Sequence, residues 1–133
     1  MDGLAVMVLL RHVLPDGTSH FDWLLERPGR PEADLVAFRV AERVDQLGPD
    51  CGGFDALRLA DHRRVYLTYE GPISGGRGSV TRLAEGRCDL REGPDGIRVA
   101  LSFGGVARVF DGRPFGEVWR FVTGVDQVSG NAK

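Results

Sequence analysis

A period of two in the second half of the chain constrains its fold most. Ile97, Val99, Leu101 and Phe103 alternate with Arg98, Ala100 and Ser102, which puts the apolar side chains on one face of an extended strand and the others on the opposite face. Comparable short runs surround it at Ser79 to Leu83, Arg87 to Leu90, Ala107 to Phe110 and Glu117 to Val122. Gly86, Gly93-Pro94-Asp95-Gly96, Gly104-Gly105 and Asp111-Gly112 separate them at hairpin distances. With no βαβ rhythm, this pattern predicts a mostly β domain of short antiparallel strands, arranged as a barrel or a sandwich.

The first half fits the same class. Leu4 to Val13 is too short and too apolar for an amphipathic surface helix and runs into Pro15-Asp16-Gly17, so it reads as a buried strand followed by a turn. Ser19 to Glu26 reads as a strand with His20, Asp22 and Leu24 on one face and Phe21, Trp23 and Leu25 on the other. Val36, Val40, Val44 and Leu47 recur at helical spacing, while the Val and Phe content favours a strand. The expectation is a strand over Leu35 to Val40 with room for a turn of helix after it. Gly48 to Gly53 is expected to be a loop, Arg64 to Glu70 a strand, and Gly71 to Gly78 a glycine-rich connection. Phe21, Trp23, Val99, Leu101, Phe103 and Trp119 are the expected core positions.

At 133 residues the chain has room for one domain that buries its own core. That domain is expected over residues 1–127, with a frayed tail over 128–133. The formal charge of -2 gives no global attraction for a polyanion, although Lys133 is the sole lysine and the other basic residues are all arginine. Cys51 and Cys88 are too few and too far apart for a disulfide scaffold or thiolate metal site, and each reads as a small hydrophobe. The apolar stretch Leu4 to Leu10 follows Asp2 and meets Arg11 and His12 at once, so it reads as neither signal peptide nor membrane span. A cytoplasmic setting without a membrane partner is the resulting expectation.

All three histidines lie in the first half of the chain. An antiparallel pairing of the first two strands would bring His12 near His20 and Asp22. Two imidazoles and a carboxylate suit a borderline metal such as Zn, Mn or Fe; unrelated edge histidines remain the alternative. His62 and Tyr66, four apart, share a face in a helical turn or an extended strand. His62 can be an acid, a base or an anion binder with the Tyr66 hydroxyl beside it, or simply a loop histidine among Asp61, Arg63 and Arg64. Gly75-Gly76-Arg77-Gly78-Ser79 lacks the phosphate-loop pattern and leaves Arg77 free to reach a phosphate. There is no CxxC pair, serine-nucleophile elbow, HExxH or dinucleotide fingerprint.

Two blocks resemble the 3′-phosphoesterase domain of bacterial DNA ligase D, the DNA polymerase/ligase N-terminal domain family. That family opens with a stretch of the form HxARRLHYDFRLE. Here His12-Val13-Leu14-Pro15-Asp16-Gly17-Thr18-Ser19-His20-Phe21-Asp22-Trp23-Leu24-Leu25-Glu26 corresponds, with a longer gap between the histidines. The later family block, DHPLEYxDFEGxIPxGxYGxGxV, resembles the run from Asp61-His62 through Tyr66 and Glu70-Gly71-Pro72-Ile73 to Gly78-Ser79-Val80. Fainter likeness continues through Phe103-Gly104-Gly105 and Gly116-Glu117-Val118-Trp119-Arg120, so the resemblance spans roughly residues 5–122.

The resemblance implies a compact β-barrel and a divalent metal, usually Mn with Zn as an alternative, held by His12, His20 and Asp22. It places His62 and Tyr66 on the reacting phosphate. The implied reaction removes a 3′-phosphate or 3′-ribonucleotide from DNA in repair, with separate repair proteins as partners and a monomeric chain. Two departures weaken the match to that chemistry. Leu24 stands where the family has a phosphate-clamping arginine, and Leu14 to Ser19 replaces two cationic side chains. Arg77, Arg64 and Arg11 are the candidate substitutes, with Arg77 expected to take the role because Gly76 and Gly78 flank it. A second reading is a metal- or nucleic-acid-binding accessory protein that keeps the barrel with weakened catalysis. A third is a barrel with an empty polar pocket.

Overall fold

In a computed structural model, described over residues 4–124, the alternating runs pair with their sequence neighbours. Strands β6 (Ser79–Gly93), β7 (Gly96–Phe103), β8 (Val106–Phe115) and β9 (Val118–Thr123) form an antiparallel meander. Upstream, β1 (Ala5–Val13), β2 (Ser19–Leu25), β3 (Leu35–Val40) and β4 (Gly53–His62) form a second one. The meanders join where β4 pairs with β9 and where β1 pairs with β6, so the nine-stranded antiparallel sheet is ring-like. The two-residue β5 (Gly71–Pro72) adds to the start of β6. The mostly β expectation holds, with no α-helix among the described residues and no helix long and apolar enough to cross a membrane.

Three local expectations are corrected. Arg64 to Glu70 is not a strand: Arg64–Leu67 is a 3-10 turn, in which the Arg63 carbonyl accepts the Tyr66 N–H at 3.1 Å. The strand lies just before it, at β4, where Phe54 and Ala56 bury inward between outward-facing Asp55 and Leu57. The runs expected at Ser79 to Leu83 and Arg87 to Leu90 are one continuous strand. Gly86 serves there for close packing rather than a turn: a Cβ on it would lie 2.4 Å from the Ser102 carbonyl oxygen. Asp111-Gly112 also lies inside β8, where a Cβ on Gly112 would come within 2.3 Å of the Phe121 ring. The turn of helix for which the sequence left room after β3 is present as a 3-10 turn at Val44–Gln46.

Alternation sorts the side chains into two packed layers. Met7, Leu9, Trp23, Phe38, Phe54, Phe110 and Phe121, drawn from strands all around the ring, form the inner core. Val8, Leu10, Leu24, Leu35, Ala37 and Val80 form a second cluster on the outer face, packed under Tyr66, Leu67, Tyr69 and Ile73. Residues 64–78 therefore strap the outer face of β1 to β3. This explains the unbroken apolar run of β1, because a strand covered on both faces needs no polar alternation.

Trp23, Val99, Leu101 and Phe103 are buried as expected, but Phe21 and Trp119 are only half-buried. The guanidiniums of Arg11 and Arg43 cover the Phe21 ring at 5.6 and 5.9 Å, and that of Arg58 covers Trp119 at 5.7 Å. Cations can stack on aromatic faces at such positions while keeping contact with water. Cys51 and Cys88 are free thiols, and burial pushes the Cys88 thiol up to about 12. The tail expected to fray lies outside the described residues.

Candidate metal centre and its cleft

The outward alternation that buries Val8, Leu10 and Leu24 continues along the strands into polar residues. On β1 the next outward residue is His12; on β2, reading back from Leu24, they are Asp22 and His20. The register pairs His12 with His20 and Leu10 with Asp22, which sets Asp22 diagonally across from His12. The tight turn between the strands fixes that register: the Leu14 N–H donates to the Thr18 carbonyl at 2.8 Å, and Gly17 takes φ 88°. Hydrogen bonds from the Thr18 hydroxyl and N–H hold the Asp16 carboxyl below its ordinary range.

One ligand atom from each of His12, His20 and Asp22 lies within 4.8 Å of the others. His12 Nδ1 is 3.2 Å from Asp22 Oδ2, and His20 Nε2 is 3.1 Å from Asp22 Oδ1. Asp22 is only 3% exposed, a buried carboxylate that demands compensation. His12 Nε2 lies 2.7 Å from the Arg77 carbonyl oxygen, which can only accept, so Nε2 carries the proton. His12 Nδ1 is then within hydrogen-bond distance of Asp22 Oδ2, at 3.2 Å.

His20 Nε2 and Asp22 Oδ1 approach closely but not in hydrogen-bonding geometry, and both atoms are buried without a hydrogen-bond partner. Burial lowers the His20 pKa, helped by the charges of Arg39 and His12 and opposed by Asp22, which favours a neutral imidazole with its lone pair free. Two imidazoles facing one buried carboxylate, with His20 Nε2 and Asp22 Oδ1 left without a hydrogen-bond partner, fit a cation among them. The N, N, O donor set fits a borderline divalent ion, and a carbonyl on the far ring nitrogen, as on His12 Nε2, is the kind of outer contact that orients imidazoles at metal sites.

His12 and Asp22 also line a cleft of about 270 Å³ between the outer face and the strap, together with His62, Arg63, Tyr66 and Arg77. Thus every site residue expected from sequence except His20 borders this cleft. His20 borders an adjoining hollow beside Arg39 and Leu57. His62 Nδ1 lies 2.9 Å from the Ala60 carbonyl and donates to it, which leaves Nε2 to accept a proton or, once protonated, to give one. The His62 ring meets Tyr66 edge-on, with centroids 5.8 Å apart.

Arg77 reaches the cleft from a loop in which Gly76 and Gly78 take φ 68° and 89°, as their spacing around it suggested. Its Nε donates to the Ser74 carbonyl at 2.8 Å, so the guanidinium is braced by a neutral partner. The other candidate arginines are elsewhere. Arg64 is held 2.6 Å from Glu26 Oε2, and Arg11 lies over Phe21 on the face of β1 opposite His12. Leu24 is fully buried in the outer cluster. Arg63 was missed as a cleft residue, although its position directly after His62 was a usable signal. No family model matches the chain, and no curated protein matches its sequence.

Proposed function

We propose that this chain is a metal-dependent phosphoesterase acting on DNA 3′ ends, removing a 3′-phosphate or 3′-ribonucleotide in repair, and that its ring-like sheet is a β-barrel of the ligase D phosphoesterase type. The observation that carries this reading is one cleft bordered by part of an N, N, O ligand set and by His62, Tyr66 and Arg77. His12, His20 and Asp22 would hold the divalent ion, with Mn favoured and Zn the alternative. The ion supplies Lewis-acid polarisation of the phosphoryl group.

The chain's own groups account for the rest. Tyr66 and Arg77 donate to non-bridging phosphoryl oxygens and orient the ester. As water forms its bond to phosphorus and the bond to the 3′ oxygen breaks, His62 gives its Nε2 proton to that leaving oxygen. The products are a 3′-hydroxyl end and inorganic phosphate or, from a 3′-ribonucleotide, a ribonucleoside 5′-phosphate.

The test is steady-state hydrolysis of a DNA primer bearing a 3′-phosphate, with Mn, for the parent, H62A and R77A. R77A lowers kcat/KM by about tenfold to a hundredfold, and H62A by more, because a general acid contributes about 10²–10⁴-fold. The H20A/D22A double variant loses Mn binding by calorimetry. Undetectable turnover in a Mn-loaded parent sinks the esterase reading. It leaves the accessory binding protein, a reading favoured by the buried Leu24 in place of a charged clamp.

A further inference from the structure

Arg63 and Arg64 are adjacent in sequence and opposite in employment. Arg64 donates to Glu26 Oε2 at 2.6 Å, and Glu26 also accepts the Val6 N–H at 3.0 Å, so this guanidinium ties the strap to β1 and β2. Arg63 lines the cleft and meets no carboxylate among the described residues. Its guanidinium carbon sits 5.9 Å from the Tyr66 ring centroid, a cation–π contact that keeps the fork near the tyrosine. Arg63 has extended backbone, and its carbonyl caps the following turn, so the side chain starts from a fixed base.

The acids of the cleft do not neutralise it. Asp61 is engaged by Arg27 at 3.0 Å and Arg58 at 3.6 Å, and Asp22 faces the two imidazoles. Arg63 and Arg77 both line this cleft, and no acid among the described residues is paired to either guanidinium. A phosphodiester offers one negative charge to such a pair. A terminal phosphate offers about 1.5 to 2 at neutral pH, along with a third free oxygen.

We propose that Arg63 is a specificity-determining residue which, together with Arg77, selects a terminal phosphate dianion over an internal phosphodiester. The proposal rests on the phosphoester reading of the cleft and names the substrate class within it: phosphomonoester ends. The Arg63 fork reads the oxygen that carries the additional charge, which in a diester is esterified and uncharged.

The experiment is calorimetric titration of inorganic phosphate and of dimethyl phosphate, a monoanionic diester, at pH 8 and low ionic strength, with and without Mn. Parent, R63Q, R63K and the control R30Q are compared, with thermal unfolding confirming that each is folded. The parent is expected to bind phosphate more tightly than dimethyl phosphate. R63Q is expected to lose about tenfold in phosphate affinity and under threefold for the diester, with R63K between them and R30Q unchanged. An unaltered phosphate-to-diester ratio in R63Q overturns the proposal, as does a parent that binds neither anion. Arg63-dependent phosphate binding without turnover keeps this assignment while removing the esterase reading. Turnover with Arg63-independent binding does the reverse.

Discussion

On the inner face of β1 to β3, Met7, Leu9, Trp23, Val36 and Phe38 meet aromatic side chains from β4, β8 and β9. One residue along on the same strands, Val8, Leu10, Leu24, Leu35 and Ala37 meet the strap, Val80 and Leu59. The inner layer is interlocked: Phe121 lies 5.5 Å from Trp23 and 5.1 Å from Phe38, both edge-on, and stacks on Phe54 at 5.2 Å. The outer layer is mainly aliphatic, and half-buried residues close it. It ends in His12, Asp22, His20 and Arg39, where the alternation continues into polar residues. Aromatic packing is concentrated in the layer shared by all the ring strands, and the candidate site stands at the margin of the layer that one segment covers.

The largest expected effect comes from attacking the inner layer. Trp23→Ala should cost about 3–5 kcal/mol in urea unfolding, because the aromatic cluster cannot collapse into the space left behind. A loss under about 1 kcal/mol would mean that the inner core is not the principal source of stability.

Leu24→Arg probes the outer layer next. It restores the residue that the family resemblance leads one to expect, but at a fully buried site among aliphatic side chains. A loss of about 3 kcal/mol, with no gain in turnover, is expected for an unpaired buried charge. A stable variant with higher kcat/KM would show instead that the strap moves aside to admit a clamp.

Ile73→Ala sharpens the contrast, since Ile73 is half-buried in the strap and also borders the cleft. Unfolding should cost only about 1–2 kcal/mol, because little apolar surface is lost. Phosphate affinity should fall by a larger factor than the same variant's stability would suggest. Equal stability losses for Ile73→Ala and Trp23→Ala would erase the distinction between layers.

The smallest effect is the pH response of the trio without metal. Burial holds the folded-state pKa of His20 below its ordinary 6.5. As pH falls through that value the unfolded chain takes up a proton that the folded chain does not, so stability declines below about pH 6.5 until the folded pKa is reached. His20→Gln should flatten this part of the curve, read as urea midpoints between about pH 7.5 and 5.5. An unchanged slope would assign the acid response to other groups.

Much of the site was legible because strand geometry is local. Once His20 and Asp22 lie two apart on a strand, they share a face; a short turn then brings His12 alongside. The shared cleft of His62, Tyr66 and Arg77 was less legible, since it depends on residues 64–78 folding back over β1 to β3. The mistaken strand at Arg64 to Glu70 shows why. Val65, Tyr66, Leu67 and Tyr69 have strand-like composition, but Tyr66 and Leu67 pack on the outer cluster from a 3-10 turn, with Tyr69 just beyond it and Val65 exposed. Gly86 and Gly112 misled in a similar way, being glycine because another chain segment lies where a Cβ would stand.

The amino-acid sequence by itself determined that the chain is mostly β, where most of its strands run, and that His20 and Asp22 point the same way. These follow from the period of two and from turn chemistry, which act over a few residues. Only the tertiary structure decided that β1 meets β6, that the outer face is covered, that Arg64 is tied to Glu26 while Arg63 remains in the cleft, and that Leu24 belongs to a core. Those outcomes depend on contacts between residues far apart in the chain, whose partners are set by the packing of whole faces rather than by local pattern.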